Sequence, residues 1–279
     1  MNNQKVWYVT GASKGLGLAL VKKLLDSGYR VAATTRHIEE LKQAVDVNVE
    51  GQFLPLEVDL TTLDSIAESM KQTHEFFGRI DVVVNNAGYG IGGAIEELSK
   101  EEILANFEVN VFGTIHVIKS VLPYMRKQQS GHILNISSIA GFAPHRGWSI
   151  YAATKFAVMG LSEVLAYDVQ SLGIKVTTIA PGGFRTEFNT QESLVLAAHR
   201  IDDYSELHAG HDQFIASDGQ QLGDPGRAAE VFIEIVESSN PPSRLFMGSD
   251  AYQRASEKLE QLREELEMNK SISLKSDFI

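Results

Sequence analysis

Short runs of β-branched and other aliphatic residues alternate along the chain with longer stretches of amphipathic pattern. That alternation predicts βαβ units feeding a parallel sheet. Strands are expected at Val6–Thr10, Arg30–Thr34, Gln52–Val58, Ile80–Asn85, Gly131–Ile136, Lys175–Ile179 and Leu245–Met247. Helices are expected near Gly15–Ser27, Ile38–Val45, Leu63–Phe77, Lys100–Gln128, Ser149–Leu172, Pro225–Glu237 and Asp250–Met268. Ser99 ahead of Glu101 and Glu102, and Asp224 ahead of Pro225, read as helix starts. Gly28, Gly78, Gly131 and Gly173 each stand between a helix and the next strand and read as helix stops. The expected fold class is α/β: one doubly wound parallel sheet of about seven strands with helices on both faces.

No repeat or low-complexity linker divides the chain, so a single domain is expected over residues 1–268. Residues 184–223 read as an irregular insertion, too long for a connector and therefore expected to be a lid or substrate-binding segment. Asn269–Ile279 reads as a tail without strong structure, and the stripe Leu259, Leu262 and Leu266 as a face packed on the parent domain. Among the 279 residues, 25 Lys and Arg against 36 Asp and Glu give a net charge of −11, which argues against nucleic acid or an anionic membrane as partner. The absence of cysteine excludes disulfides and thiolate chemistry. The first strand starts too early for a signal peptide, and no apolar run is long enough to span a bilayer; a cytoplasmic protein is expected.

Tyr151 and Lys155 are four residues apart and so share one face of a helix. A free phenol, with a pKa of about 10, is a poor proton carrier at neutrality. A fixed cation beside it favours the phenolate and moves it toward working pH. Thr10-Gly11-Ala12-Ser13-Lys14-Gly15-Leu16-Gly17 occupies the first strand-to-helix turn. There, glycines admit a pyrophosphate and the helix start offers free N–H groups, although such turns also serve close packing. An acid after the second strand would hold the ribose hydroxyl of NAD, but Ala32-Ala33-Thr34-Thr35-Arg36 has none. Lys14 and Arg36 offer two cations for a 2′-phosphate instead, which favours NADP.

Taken in order, Thr10…Gly17, Asp59-Leu60, Asn85-Asn86-Ala87-Gly88, Asn110, Ser138, Tyr151…Lys155 and Pro181-Gly182…Thr186 resemble the motifs of the short-chain dehydrogenase/reductase family, in its compact single-domain branch. The resemblance implies a Rossmann-like fold binding NADPH through Gly11, Ser13, Lys14, Gly15, Leu16, Gly17 and Arg36. It gives Asp59 and Leu60 to the adenine and lets Asn86, Ala87 and Gly88 approach the adenosine ribose. Asp59 also reads as an N-cap for the next helix. Pro181 and Gly182 would cover the nicotinamide, with Thr186 at its carboxamide. Of the two adjacent serines, the resemblance implies Ser138, which stands thirteen residues before Tyr151.

In the implied reaction Tyr151 is the general acid, Ser138 holds the carbonyl oxygen and Lys155 binds the nicotinamide ribose. Asn110 marks a helix distortion holding a water that links Lys155 to solvent; a buried amide that merely satisfies its neighbours is the alternative. No metal is expected: His208 and His211 stand three apart in what reads as a loop, without helical ligand spacing. The substrate end would draw on Phe142, Trp148, Phe184, Phe188, Leu194, Leu196 and Tyr204, with His145 facing substrate or solvent. This composition suits a mainly apolar ketone or aldehyde. Two rival readings are an NAD-dependent alcohol dehydrogenase and a catalytically silent cofactor sensor. Family members commonly pair through the helices matching Lys100–Gln128 and Ser149–Leu172, so a homodimer or homotetramer is implied, with the terminal extension an obstacle to the larger assembly.

Overall fold

In the computed structural model, residues 5–45, 50–190 and 193–278 are described; Gln191 and Glu192 of the insertion and Ile279 of the tail lie outside them. The described strands are β1 (Val6–Val9), β2 (Arg30–Thr35), β3 (Phe53–Glu57), β4 (Val82–Asn85), β5 (Gly90–Gly92), β6 (Gly131–Ile136), β7 (Ile174–Pro181), β8 (Leu194–Leu196) and β9 (Arg244–Met247). Seven form one parallel sheet in the order β3-β2-β1-β4-β6-β7-β9. The chain moves outward from β1 to β3 and then returns to β4. The strand order therefore reverses between β1 and β4, where doubly wound sheets hold ligands at their carboxyl ends. Pro55 is tolerated in β3 because that strand is an edge of the sheet. β5 and β8, not anticipated, make a separate parallel pair with Gly90 opposite Leu194.

The helices are α1 (Gly15–Asp26), α2 (Ile38–Val45), α3 (Leu63–Phe77), α4 (Lys100–Phe107), α5 (Thr114–Gln128), α6 (Ser149–Val169), α7 (Ser205–Ala216), α8 (Pro225–Glu237) and α9 (Ser249–Ser273). Side chains alternate across β1: Trp7 and Val9 join Leu20, Leu24 and Phe232 on one face, while Val6 and Tyr8 join Ile66, Met70 and Val117 on the other. Two buried cores, one on each face, sandwich the sheet. Ser99 and Glu102 close a capping box, and the Asp224 carboxylate accepts from Gly226 N at 2.7 Å. Gly28, Gly78 and Gly173 take left-handed φ angles as helix stops. Gly131 does not. Gln129 carries the left-handed turn after α5 at φ 53°, and Gly131 opens β6 where a Cβ would strike Met125.

The helix distortion implied at Asn110 is a π-helical turn, Glu108–Gly113, that interrupts the helix expected at Lys100–Gln128. Three expectations change. The insertion is ordered into β8, a 3-10 turn at Asp202–Tyr204 and α7. The tail continues α9 as far as Ser273, since no glycine or proline follows Gly248 to stop it and Asn269 donates to the Glu265 carbonyl at 2.8 Å. The leucine stripe is not packed on the domain: Leu259, Leu262 and Leu266 are 55%, 40% and 67% exposed, and only Ala251 and Ala255 of α9 are buried. Among the described residues no helix is long and apolar enough to cross a membrane.

Candidate active site

At the switch point, the turn after β1 is wired to the turn after β4. The Thr10 hydroxyl accepts from Asn86 N at 3.0 Å and Ala87 N at 3.1 Å, and the Asn86 amide donates to the Thr10 and Gly11 carbonyls, each at 3.0 Å. Gly11, at φ +63°, has no room for a side chain, because a Cβ would lie 2.8 Å from Ala87 Cα. A Cβ on Gly17 would lie 2.5 Å from Asn86 Nδ2. These two glycines serve close packing. Gly15 is different: at φ +58° it approaches only Thr186, and its N–H donates to the Glu187 carboxylate at 3.1 Å. That carboxylate oxygen stands in for an anionic phosphate oxygen at the first turn of α1, where free N–H groups and the helix dipole favour negative charge. The residues present therefore fit a nucleotide's phosphates.

The turn opens onto a cavity of about 640 Å³, whose walls include Ser13, Lys14, Leu16, Arg36, Asp59, Leu60, Asn86, Ala87, Gly88, Ser138, Tyr151, Lys155, Pro181, Gly182 and Thr186. With Gly11 and Gly15, it gathers every expected cofactor residue except Gly17, which lies behind the turn, and every expected catalytic residue except Asn110. Asp59 is not a helix cap; Thr62 precedes α3. The Asp59 carboxylate instead accepts from Thr61 N at 2.9 Å and Thr61 Oγ1 at 2.7 Å, and these bonds, helped by the charge of Arg36, hold its pKa below the ordinary value.

α6 presents Tyr151 and Lys155 because its first turns are pinned to the segment after β6. The buried Ser137 hydroxyl donates to the Lys155 carbonyl at 2.8 Å, and Gly141 lets that carbonyl approach. Further along, Asn85, Asn135 and Ser162 form a chain of 2.8 Å hydrogen bonds from β4 through β6 to α6. Both serines line the cavity, but with the Ser137 hydroxyl committed it is Ser138 that hydrogen-bonds Tyr151.

The electrostatics differ from expectation. Burial pushes the Tyr151 phenol up to about 12, opposed only by its hydrogen bond with Ser138. Burial also brings Lys155 down to about 8. The ammonium lies 5.7 Å from the Tyr151 ring centre and donates to the Ile136 carbonyl at 3.0 Å. Burial thus sets the phenol, and the ammonium near its ring does not bring it down. The phenol stays protonated at neutrality, and the amine titrates near it. Asn110 is wedged beside them. Its side chain bonds the backbone N–H and carbonyl of Tyr89 at 3.0 Å each and the Thr154 hydroxyl at 3.2 Å, so its polar atoms are satisfied by protein partners.

An aromatic wall closes over Tyr151. Trp148 and Phe188 lie 6.3 and 5.9 Å from its ring, and Phe214 of α7, which the sequence did not suggest, packs edge-on to Trp148 at 5.1 Å. Trp148, Phe184 and Phe188 line the cavity as expected. Phe142 does not; it packs on Phe246 at 5.0 Å under α9. Leu194 and Leu196 lie in the small sheet outside the cavity, and Tyr204 is bonded to Glu96 at 2.5 Å on the surface.

The insertion is held by a buried carboxylate. Burial would raise Glu97, but bonds from Ile201 N and Ala94 N, each 2.8 Å, and from His208 at 2.7 Å keep it at about 2. His208 and His211 therefore sit on a helix and not in a loop, and they face different partners, His211 meeting the Gly147 carbonyl at 3.1 Å. Glu97→Leu is expected to leave these donors unpaired at a penalty of about 3 kcal/mol, a roughly hundredfold rise in the open insertion. Limited proteolysis within residues 198–216 reads it. In the parent chain the clamp is complete above pH 4.5 and is lost only as pH falls through about 2, because the folded pKa is the lower one. Protection in mild acid is the expected result.

The short chain dehydrogenase family model matches residues 5–194. The chain is 36% identical over 272 residues, 98% of its length and 99% of the relative's, to Oxidoreductase BOA17 of Botryotinia fuckeliana. A short-chain dehydrogenase from Streptomyces avermitilis superposes with TM-score 0.91 at 34% identity, each chain covered completely. ElxO, solved with NADP bound, superposes with TM-score 0.71 at 28% identity over 86% of this chain and 95% of its own. A glycine turn fitted for phosphate and a switch-point cavity lined by Ser138, Tyr151 and Lys155 thus occur in a chain that belongs to the short-chain dehydrogenase/reductase family of oxidoreductases.

Proposed function

We propose that the chain is an NADPH-dependent reductase of carbonyl groups on mainly apolar molecules. The observation that carries this reading is a single cavity, about 640 Å³, joining Lys14 and Arg36 at one end to Ser138, Tyr151 and an aromatic wall at the other. Lys14 and Arg36 would hold the 2′-phosphate, Asp59 and Leu60 the adenine, and Asn86–Gly88 the ribose. The Gly15 amide would take a phosphate oxygen in place of Glu187. The bound NADP of one solved neighbour supports the choice of cofactor. When bound, NADPH supplies the hydride that reaches the carbonyl carbon.

The protein's own groups handle the oxygen and the proton. The Ser138 hydroxyl donates to the substrate oxygen and fixes its position beside Tyr151. The Tyr151 phenol, protonated because it is buried, gives its proton to that oxygen as negative charge develops there. Lys155 binds the nicotinamide ribose and returns a proton to Tyr151; its value of about 8 suits a relay at working pH. The π-turn at Asn110 is tied to the Tyr89 backbone and would hold the water that completes the relay. Phe188 and Phe214 of the insertion cover the reacting carbonyl, which makes the insertion the substrate cover. Phe112, Phe156 and Tyr167, exposed on the helices expected to pair, support a homodimer.

The test is NADPH absorbance followed across aromatic, aliphatic and steroid-like ketones and aldehydes. Turnover of at least one class is expected; flat traces with tight cofactor binding would instead make the protein a sensor. Arg36→Ala is expected to weaken NADPH binding by about 10- to 100-fold, the value of charge-assisted hydrogen bonds to a phosphate, and NADH binding far less. Equal losses for both cofactors would remove Arg36 from 2′-phosphate recognition.

A further inference from the structure

The last helix reaches back into the cavity. α9 begins directly after β9, and its residues 250 and 254 share a face one turn apart. The Asp250 carboxylate accepts from Gly183 N at 2.8 Å, beside the Pro181–Gly182 loop. Arg254, one turn on, donates to the Ala143 carbonyl in the segment between Ser138 and Tyr151. Both residues line the cavity. Lys14 and Arg36 lie near the glycine turn, and Lys155 lies beside the Tyr151 ring with its ammonium bonded to the Ile136 carbonyl. Arg254 is thus the permanent positive charge of the opposite wall, with His145 beside it.

Arg254 has no ion pair among the described residues. Its hydrogen bond goes to a carbonyl, and the fields of Asp250 and Glu257 reach it without close contact. Burial pulls its pKa below the ordinary value, the mark of a guanidinium partly stripped of water. Burial, then the charge of Arg254, lowers His145 as well, so the imidazole favours its neutral form and can donate a hydrogen bond without adding charge. A guanidinium offers five N–H donors in a fork matched to carboxylate, and one bond to a carbonyl leaves most of them free.

Resting on the reductase reading, we propose that Arg254 receives an anionic group of the substrate, so that preferred substrates join an apolar carbonyl-bearing body to an acid. The aromatic wall takes the body, and Arg254 with His145 takes the acid. Arg254 is then a residue of substrate selection, outside the proton-transfer set.

The probes are β-benzoylpropionate and its methyl ester, which share a ketone and differ in charge. In the parent, kcat/KM favours the acid. In Arg254→Met the acid-to-ester ratio falls by about 10- to 100-fold, mainly through KM of the acid, and Arg254→Lys lies between them. Calorimetric titration of both probes, with and without NADP⁺, gives dissociation constants that need no turnover. The same loss confined to the acid is expected there. A parent that binds both probes equally, or an Arg254→Met protein that loses both equally, overturns the proposal. Selective acid binding without any NADPH oxidation keeps the acid site and sinks the reductase reading.

Discussion

The Tyr151→Phe protein should reduce ketones with NADPH about 10³-fold more slowly than the parent while keeping its affinity for NADPH. The substitution removes one oxygen and leaves the ring, so the packing of Trp148 and Phe188 around it persists. What disappears is the phenolic proton beside Ser138. The remaining hydroxyl still positions the carbonyl, which is why Ser138→Ala is the milder change, about 10²-fold. The double variant should fall little below Tyr151→Phe, because groups that act on one oxygen are not additive. Stopped-flow measurement of the hydride step settles it; a rate close to the parent's removes Tyr151 from proton donation. The pH profile adds a second check. Tyr151 stays protonated up to about 12, so a fall in reduction rate as pH rises through about 8 reports Lys155 losing its proton.

Much of this site could be read from the chain because its signals are local. The glycine turn, Asp59, the Ser138 to Tyr151 gap and the four-residue step to Lys155 each lie within a short stretch. The parallel sheet was legible for the same reason, since each strand is a compact aliphatic run ended by a turn residue. Contacts set by tertiary structure were not legible. Asp250 meets Gly183 across 67 positions, and Arg254 meets Ala143 across 111. Neither belongs to a motif, and an acid or arginine opening a charged helix ordinarily faces water. Glu97 belongs to no motif either, and its partners Ile201 and His208 lie 104 and 111 positions away. Asn110 gave a partial signal, for asparagine inside a helical pattern marks a fault, but the width of the π-turn depends on Tyr89 and Thr154. The wrong sign for Tyr151 has one cause. Spacing reveals a neighbouring charge but not the depth of burial, and burial dominates here.

Lys155→Met should destroy activity and stabilise the cofactor-free protein at once. The loss, about 10³-fold, follows from removing both the proton relay and the expected ribose contact. The gain follows from burial. Lys155 falls from 10.5 to about 8 on folding, which corresponds to about 3 kcal/mol spent keeping a charged amine out of water. Methionine has similar length and no charge. Against the gain stands the Ile136 carbonyl, which loses its 3.0 Å partner at roughly 1–2 kcal/mol. A net gain of about 1 kcal/mol, worth about 2–4 °C in a domain of this size, is the expected outcome at pH 7. Its pH dependence identifies the cause. Because the folded pKa is the lower one, the parent's penalty is full below about 8 and fades as pH rises toward 10.5. The melting gap between variant and parent should therefore close over that range in scanning calorimetry of the cofactor-free proteins. A parent more stable than the variant at pH 7 would mean that the amine is not held at a penalty. On the proposed reading, Lys155 exchanges local stability for a proton carrier poised near neutrality.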